Sequence, residues 1–472
     1  MSNYLRPFIP FAAVAWTIAA SIAASAAVVH ESTPENAFPA LISTRLAALQ
    51  RTGTALSIPN PRPLLPVSPA GAAPWLEQEV FASDGIQEDT FGSAVAVDGA
   101  TAIVTAPQPG SDTGGIPAGP GRAYIFTNQG GTWTQTAVLT ADDGTDGDFF
   151  GYAVALQGDT ALVGAHFVTI DGHSQQGAAY VFRRANGVWT QTQKLIAADG
   201  ATQSFFGASV ALDGDHAFVG AYGATVNGNF GQGAVYAYSG VSGASLQLSA
   251  ELTNEEGVAN DQFGYAVAAH GGSVMIGSPN SKVGDNTAQG AVFLYDDADG
   301  TWTRRQEIVA DDGLANDAFG LSISYDDTHA LISVPIGNNF LGELYAFELD
   351  ADMWSQTQKI LAPADATDIF YALTVALSGD RALVTYPGYD NGHGRVDLYG
   401  ADATGEWNLL QTYTHDSGDP TDLFPYYGWS ASISGGTFLV GAFGREVGSN
   451  LYQGASYFYT RDALFADGFD GG

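Results

Sequence analysis

The stretch Phe150-Gly-Tyr-Ala-Val-Ala-Leu156, Gln157-Gly-Asp159, Thr160-Ala-Leu-Val-Gly-Ala165 reads as two strands joined by a tight turn. Small and apolar residues run on either side of a Gly-Asp pair, which is a hairpin pattern and not a 3.6-residue helical stripe. After a longer loop, Gly177-Ala-Ala-Tyr-Val-Phe182 predicts a third strand. Arg184-Ala-Asn-Gly187 then turns the chain into a fourth, Trp189-Thr-Gln-Thr-Gln-Lys-Leu195. The Phe-Gly that opens this unit recurs at Phe91-Gly92, Phe206-Gly207, Phe263-Gly264 and Phe319-Gly320, with degenerate copies read at Phe370-Tyr371 and Tyr427-Gly428. Seven copies spaced 51 to 59 residues apart are one supersecondary unit repeated.

Four antiparallel strands repeated radially make a propeller. The fold class expected is therefore all-β, a single seven-bladed β-propeller over residues 75–460. The seventh unit supplies only three strands, Tyr427–Ile433, Thr437–Ala442 and Gly454–Tyr459, while Trp75-Leu-Glu-Gln-Glu-Val-Phe81 matches the fourth strand of the other units. An N-terminal strand completing the last blade closes the ring and leaves no open edge. The Phe of each Phe-Gly is expected to wedge between blades, with Gly allowing close approach. Trp75, Trp133, Trp189, Trp302, Trp354 and Trp407 open the fourth strands, with Leu246 in the corresponding place. A periodic Trp can be a sugar-stacking platform, but packing between blades is the reading preferred here.

The 472 residues carry 16 Lys plus Arg against 50 Asp plus Glu, a formal charge of −34. That balance excludes nucleic acid or an anionic bilayer as a partner held by bulk charge. At 45% hydrophobic and 12% aromatic residues, the chain has material for a core, so the charge reads as a solvated surface. Cysteine is absent, which excludes disulfides, thiolate zinc sites and cysteine nucleophiles.

The chain ends read differently. Arg6, the apolar run from Phe8 to Ala24 and Ala24-Ser25-Ala26 have the form of a signal peptide (residues 1–26) cleaved before Ala27. The run falls short of the roughly 20 apolar residues a span needs, so no membrane span is expected in the mature chain. Residues 27–74 predict a Pro-rich spacer with one short helix within Ala37 to Arg51, and residues 461–472 a C-terminal tail.

The Phe-Gly copies are joined by a second recurring segment: Thr105-Ala-Pro107, Gly164-Ala-His166, Gly220-Ala-Tyr222, Gly277-Ser-Pro279, Ser333-Val-Pro335, Thr385-Tyr-Pro387 and Gly441-Ala-Phe443. Together they resemble the FG-GAP repeat family, the propeller repeat of integrin α subunits and of many exported bacterial proteins. Thr140-Ala-Asp-Asp-Gly144 is similar to a segment of the bacterial type. The resemblance departs at one important point. Integrin propellers hold calcium in the hairpin between first and second strands. Here Gln157-Gly-Asp159, Asp213-Gly-Asp215 and Ser378-Gly-Asp380 are too short, so those sites are not carried over. The sixth and seventh units lose part of the Phe-Gly motif, and irregular structure is expected there.

Long loops, second-to-third and blade-to-blade, share one face of the disc, and they are acidic. Hard oxygen ligands favour Ca²⁺. The candidate ligands are Asp142, Asp143, Asp146 and Asp148 in one loop and Asp311, Asp312 and Asp317 in another. Lys282 and Arg445 are nearly the only opposing charges in these loops. The competing explanation is that each Asp closes an Asx-turn. Catalytic motifs are absent from the sequence: there is no H-E-x-x-H, no nucleophile elbow and no P-loop. His216 and His329 fall at equivalent turn positions and are expected to be solvated, while His166 and His173 share a loop with Asp171. Carboxylate pairs across the channel mouth would suit glycoside hydrolysis, but nothing picks out a pair.

These readings predict a secreted or cell-surface protein, non-enzymatic and of binding or adhesion type. It is expected to be a monomer that recognises a protein or glycan through its long-loop face, with Ca²⁺ as a candidate structural ion and no other cofactor expected. The alternatives are an enzyme acting on extracellular polysaccharide and a purely structural surface protein.

Overall fold

The computed structural model describes residues 75–108, 119–364, 366, 368–415 and 424–461. The chain divides into two compact units, residues 1–65 and 66–472, and every described residue belongs to the second. The predicted signal peptide, spacer helix and tail lie outside the described residues, as do Asp112, Asp365, Asp416, Asp419 and Asp422 of the acidic loops. Among the described residues no helix is long and apolar enough to cross a membrane.

Seven four-stranded antiparallel sheets follow one another along the chain. In blade two the inner strand Ala153–Gln157 pairs with Thr160–Ala165, then Ala178–Ala185, then the outer strand Val188–Leu195. The second strand is buried throughout, because blades cover both its faces, and its sequence is accordingly an unbroken small and apolar run. The outer strand of blade one, Thr132–Leu139, alternates exposed and covered residues. Each inner strand touches the inner strand of the blade before and after it, and Val95–Asp98 of blade one touches Ser430–Ser434 of blade seven. The ring is therefore closed. Trp75–Val80 completes blade seven, paired with Ala455–Arg461 from Trp75↔Arg461 to Val80↔Ser456.

Phe91, Phe150, Phe206, Phe263 and Phe319 are fully buried, and the glycines after them sit at φ between +88° and +97°. The Phe carbonyl presses on the glycine that opens the third strand of the preceding blade. A Cβ at Gly177 would lie 2.1 Å from the Phe206 oxygen, and one at Gly454 2.0 Å from that of Phe91. In blade six this place is taken by Tyr371-Ala372, not by Phe370-Tyr371 as read from the sequence. Gly342 faces the Tyr371 oxygen, and Ala372 has φ +59° where the other blades have glycine. A methyl group is small enough to tolerate a left-handed backbone at a cost of about 1 kcal/mol, so the motif degenerates without losing the blade. Blades six and seven are four-stranded like the rest, which corrects the expected irregularity.

The tryptophans pack between blades. Trp133 stacks on Phe458 of blade seven at 4.3 Å and 8°, and Trp302 meets Phe218 of blade three edge-on at 5.2 Å. His216 and His329 lie half-buried against Trp302 and Trp407, at 5.3 and 5.4 Å, and are not the solvated turn residues expected. Each opens the second strand of its blade, where the tryptophan of the next blade covers it.

Candidate functional site: the long-loop face

Each acidic blade-to-blade loop from blade seven through blade four begins with a β-turn closed at glycine. Gly144 N–H donates to the Ala141 carbonyl at 3.1 Å, and Gly85, Gly200, Gly257 and Gly313 repeat the bond. Four residues after the glycine a side chain folds back onto the loop. Asp148 accepts from Thr145 N–H at 2.7 Å, Asp89 from Ile86 at 2.7 Å, Asp261 from Val258 at 2.8 Å and Asp317 from Leu314 at 2.6 Å. Ser204 does the same to Ala201 in the loop without an acid there. Burial pushes up the pKa of Asp89, Asp261 and Asp317, that of Asp261 to about 6.

The acid just before the glycine reaches the next blade instead. Asp143 accepts from Tyr180 at 3.0 Å and Lys194 at 2.5 Å; Asp312 accepts from Tyr345 and Lys359, both at 2.8 Å. Burial works against the charge on Asp143, but the bonds from Lys194 and Tyr180 outweigh it and hold the carboxyl below its usual range. The bond from Lys359 does the same for Asp312. The seven predicted ligands are thus divided. Asp148 and Asp317 clamp turns, Asp143 and Asp312 hold lysines, and Asp142, Asp146 and Asp311 are exposed. Among the described residues no three His, Asp or Glu side chains converge as a metal ligand set.

The opposing charges arrive from strands, not loops, which is why a count of loop residues missed them. Lys194 and Lys359 stand directly across from Tyr180 and Tyr345 in register. A second missed signal is the repeated Gln-Gly before the third strand. Gln176, Gln232, Gln289 and Gln453 are all buried. Gln232 donates to the Asn254 carbonyl at 2.7 Å and Gln176 to that of Ala197 at 3.0 Å. Asn286 bridges Gln289 at 2.9 Å and the Gly313 carbonyl at 3.0 Å. Backbone bonds such as Phe206 N–H to the Gln176 carbonyl, 2.9 Å, complete the stitching. The face is a set of loops locked to their neighbours.

On this face the Gly-Ala-Pro-like segment departs from proline in three blades. His166, Tyr222 and Phe443 stand there, each beside the residue preceding a Phe-Gly position. Phe149, Tyr152, His166, Phe167, Phe205, Tyr222 and Tyr265 form one continuous run of ring contacts across blades two to four. Tyr152 lies 3.8 Å from His166, and Phe205 stacks on Tyr222 at 4.9 Å. His166 is 1% exposed and its Nδ1 has no hydrogen-bond partner among the described residues; burial lowers its pKa to about 3, so the ring is neutral. Phe149, Tyr152, Phe167 and Tyr265 are half-buried. Blade seven has a smaller patch, with Tyr426 parallel to Phe443 at 5.2 Å and Trp429 edge-on to it at 4.6 Å. Loop tips add exposed apolar residues: Ile86, Val258, Leu314 and Leu451. His173 is not part of the cluster; its Nδ1 approaches the Gly200 carbonyl at 3.1 Å, where other blades use asparagine.

Comparison with known proteins matches a family model, the FG-GAP repeat, at residues 75–126, 133–182, 189–238, 247–295 and 302–347. These are the blades whose Phe-Gly motif is intact, together with the strand that closes the ring. No curated protein matches. Among solved structures, a protein from Lactobacillus plantarum is 14% identical with a TM-score of 0.45, over 71% of this chain and 94% of that one. The periplasmic gluconolactonase PpgL of Pseudomonas aeruginosa is 14% identical with a TM-score of 0.44, over 69% of this chain and 87% of that one. Neither likeness speaks to the chemistry of this chain. The five matched repeats cover more than half of its length and coincide with the blades, and the chain belongs to the FG-GAP repeat family.

Proposed function

We propose that this propeller is an exported, non-enzymatic binding or adhesion-type protein that recognises a protein or glycan partner through its long-loop face. The observation that carries the reading is the continuous aromatic run of blades two to four, in which the half-buried Phe149, Tyr152, Phe167 and Tyr265 pack on the buried His166, Phe205 and Tyr222, on loops already locked to one another. Rings held in place before binding lose little entropy on contact, and a pre-organised surface gains affinity for that reason. The buried carboxylates Asp89, Asp148, Asp261 and Asp317 serve turns, which favours a structural use of these acids over general acid or base work. Asp148 and Asp317 accept from backbone N–H groups of their own turns, while Asp142, Asp146 and Asp311 are exposed. Lys194 already engages Asp143 in the loop Asp142–Asp148, and Ca²⁺ enters the reading as an ion to be tested.

The test is capture of extracellular proteins and glycans by the immobilised mature chain, with Ca²⁺, with Mg²⁺ and in chelator. Capture lost in a folded Tyr152→Ala or Val258→Ser variant supports the face. A Ca²⁺-specific gain lost on Asp146→Asn supports the ion. Turnover of an oligosaccharide that disappears on substitution of a loop carboxylate would overturn the non-enzymatic reading.

A further inference from the structure

At the rim of the disc, a glutamine of one outer strand bonds the backbone of the residue that opens the next. Gln193 does this to Leu246, Gln306 to Trp354 and Gln358 to Trp407, donating to the carbonyl at 2.8–3.1 Å and accepting from the N–H at 2.8–2.9 Å. These glutamines pair with Val181, Leu294 and Ala346, just before the β-bulge of each sheet. In blade one that place, opposite Ile125, belongs to Ala137, which has no carboxamide. Trp189 opens the outer strand of blade two in the register of Trp133, so its N–H and carbonyl point together off the free edge of the sheet. Among the described residues no side chain bonds to either group. The other alanine of the series, Ala250, lies at a boundary that Arg304 spans to Asn254 at 3.2 Å and to Glu256 at 3.3 Å. Directly after Ala137 a groove of about 390 Å³ opens between the two outer strands, lined by Val138, Thr140, Asp142, Phe182, Trp189 and Thr190. Gln191 spans it, accepting from Asp142 N–H at 3.0 Å.

An N–H and a carbonyl side by side call for a ligand with an acceptor and a donor on one edge. A primary carboxamide has that edge. A carboxylate accepts but cannot donate, and the exposed Asp142 repels it. A trans peptide group carries its N–H and carbonyl on opposite sides. The chain itself seats a carboxamide on the same pair of groups at other boundaries, as Gln78 does on Trp133. A water occupies about 30 Å³, so the groove has room for more than one amide group. The exposed Thr140 and Thr190 offer hydroxyls to the residues on either side of it. We propose that this rim groove is a binding site apart from the long-loop reading, taking a glutamine side chain of an extended partner segment whose carboxamide bonds the Trp189 N–H and carbonyl.

The experiment titrates the full chain with a labelled acetyl-Thr-Thr-Gln-Thr-Thr N-methylamide, whose one primary carboxamide is its glutamine, and with the same peptide carrying Met or Glu in that place. Met is expected to weaken binding about tenfold, a change of about 1.4 kcal/mol, and Glu at least as much at neutral pH. Ala137→Gln supplies the carboxamide from within the chain. It is expected to melt above the native protein and to lose the peptide. In the native chain grown with isotope-labelled tryptophan, the Trp189 backbone amide, assigned with Trp189→Phe, is expected to shift on peptide addition, a readout that does not depend on the folding of Ala137→Gln. Equal binding of the Gln, Met and Glu peptides overturns carboxamide recognition. Unchanged peptide binding by a folded Ala137→Gln, or a Trp189 amide that does not move at about 1 mM peptide, overturns the site. Propionamide that binds as tightly as the peptide overturns the partner segment in favour of a small amide.

Discussion

Gln78 and Trp133 grip each other twice: Gln78 Nε2 donates to the Trp133 carbonyl at 2.6 Å, and Gln78 Oε1 accepts from Trp133 N–H at 2.8 Å. The first residue lies on the strand that completes blade seven, the second on the outer strand of blade one. The same two-bond grip joins Gln193 to Leu246, Gln306 to Trp354 and Gln358 to Trp407. Those three glutamines follow their own tryptophan by four residues, on strands that carry a β-bulge. Gln78 follows Trp75 by three, on a strand with none. The missing residue and the missing bulge offset each other, so the closing strand presents its glutamine at the same level as the others.

Closure should therefore be measurable at one side chain. Gln78→Ala is expected to lower stability by about 1–2 kcal/mol, since two part-buried hydrogen bonds are lost and the Trp133 backbone is left unpaired. A chain beginning at Ala82 loses the whole strand, exposes the edge of Ala455–Arg461 and should melt far lower than one beginning at Pro74. Equal melting of the two truncated chains would refute closure by this strand.

The left-handed Ala372 predicts a stabilising substitution. Ala372→Gly removes strain worth about 1 kcal/mol and returns some of it as backbone entropy in the unfolded chain, for a net gain of about 0.5 kcal/mol. The reverse change in blade five, Gly320→Ala, places a Cβ 2.9 Å from Val292 Cγ2 at φ +96° and should destabilise. Denaturant melts of the pair check both signs, and a lower midpoint for Ala372→Gly would remove the strain argument.

Asp261 makes stability depend on pH in the less common direction. Burial raises its folded pKa to about 6, above the unfolded value of 3.8. Between those values the folded chain holds the extra proton, so the contribution of this residue is largest at low pH and is lost as pH rises through 6. Asp261→Asn keeps an acceptor for Val258 N–H and removes the charge. It should stabilise the protein at neutral pH by about 1 kcal/mol, with allowance for screening near the loop surface, and flatten the pH profile between 4 and 6. Ser204 is the neutral arrangement already present in blade two's exit loop. An unchanged profile would mean that Asp261 is ionised without penalty.

His166 acts with the opposite sign. Its folded pKa, about 3, lies below the unfolded value of 6.5, so the unfolded chain takes up the proton first and stability falls as pH drops through that window. His166→Phe copies Phe443 of blade seven, which sits between Tyr426 and Trp429 as His166 sits between Phe149 and Tyr152. The change removes a buried nitrogen with no partner and should raise neutral-pH stability by about 1 kcal/mol while blunting the acid loss below pH 6. A destabilised variant would refute that account of the buried nitrogen.

The blades were legible in the sequence because their determinants are local. Strand alternation, Gly-Asp turns and a Phe-Gly at nearly constant spacing each act within a few residues, and the ring follows from counting strands, including Trp75-Leu-Glu-Gln78. Register at a degenerate repeat was not, because choosing Tyr371 over Phe370 depends on which carbonyl meets Gly342 across a blade boundary. The acidic loops were visible as composition and unreadable as chemistry. Whether Asp143 joins a cation, a tyrosine or a metal is decided by Lys194 and Tyr180, about 40 to 50 residues away, which only the stacking of blades brings to it. The aromatic run is of the same kind. His166, Phe205, Tyr222 and Tyr265 are scattered over four segments of sequence and become one cluster because adjacent blades bring them into ring contact. Periodicity along the chain sets the elements, while contacts between chain-distant side chains set the chemistry of the face they share.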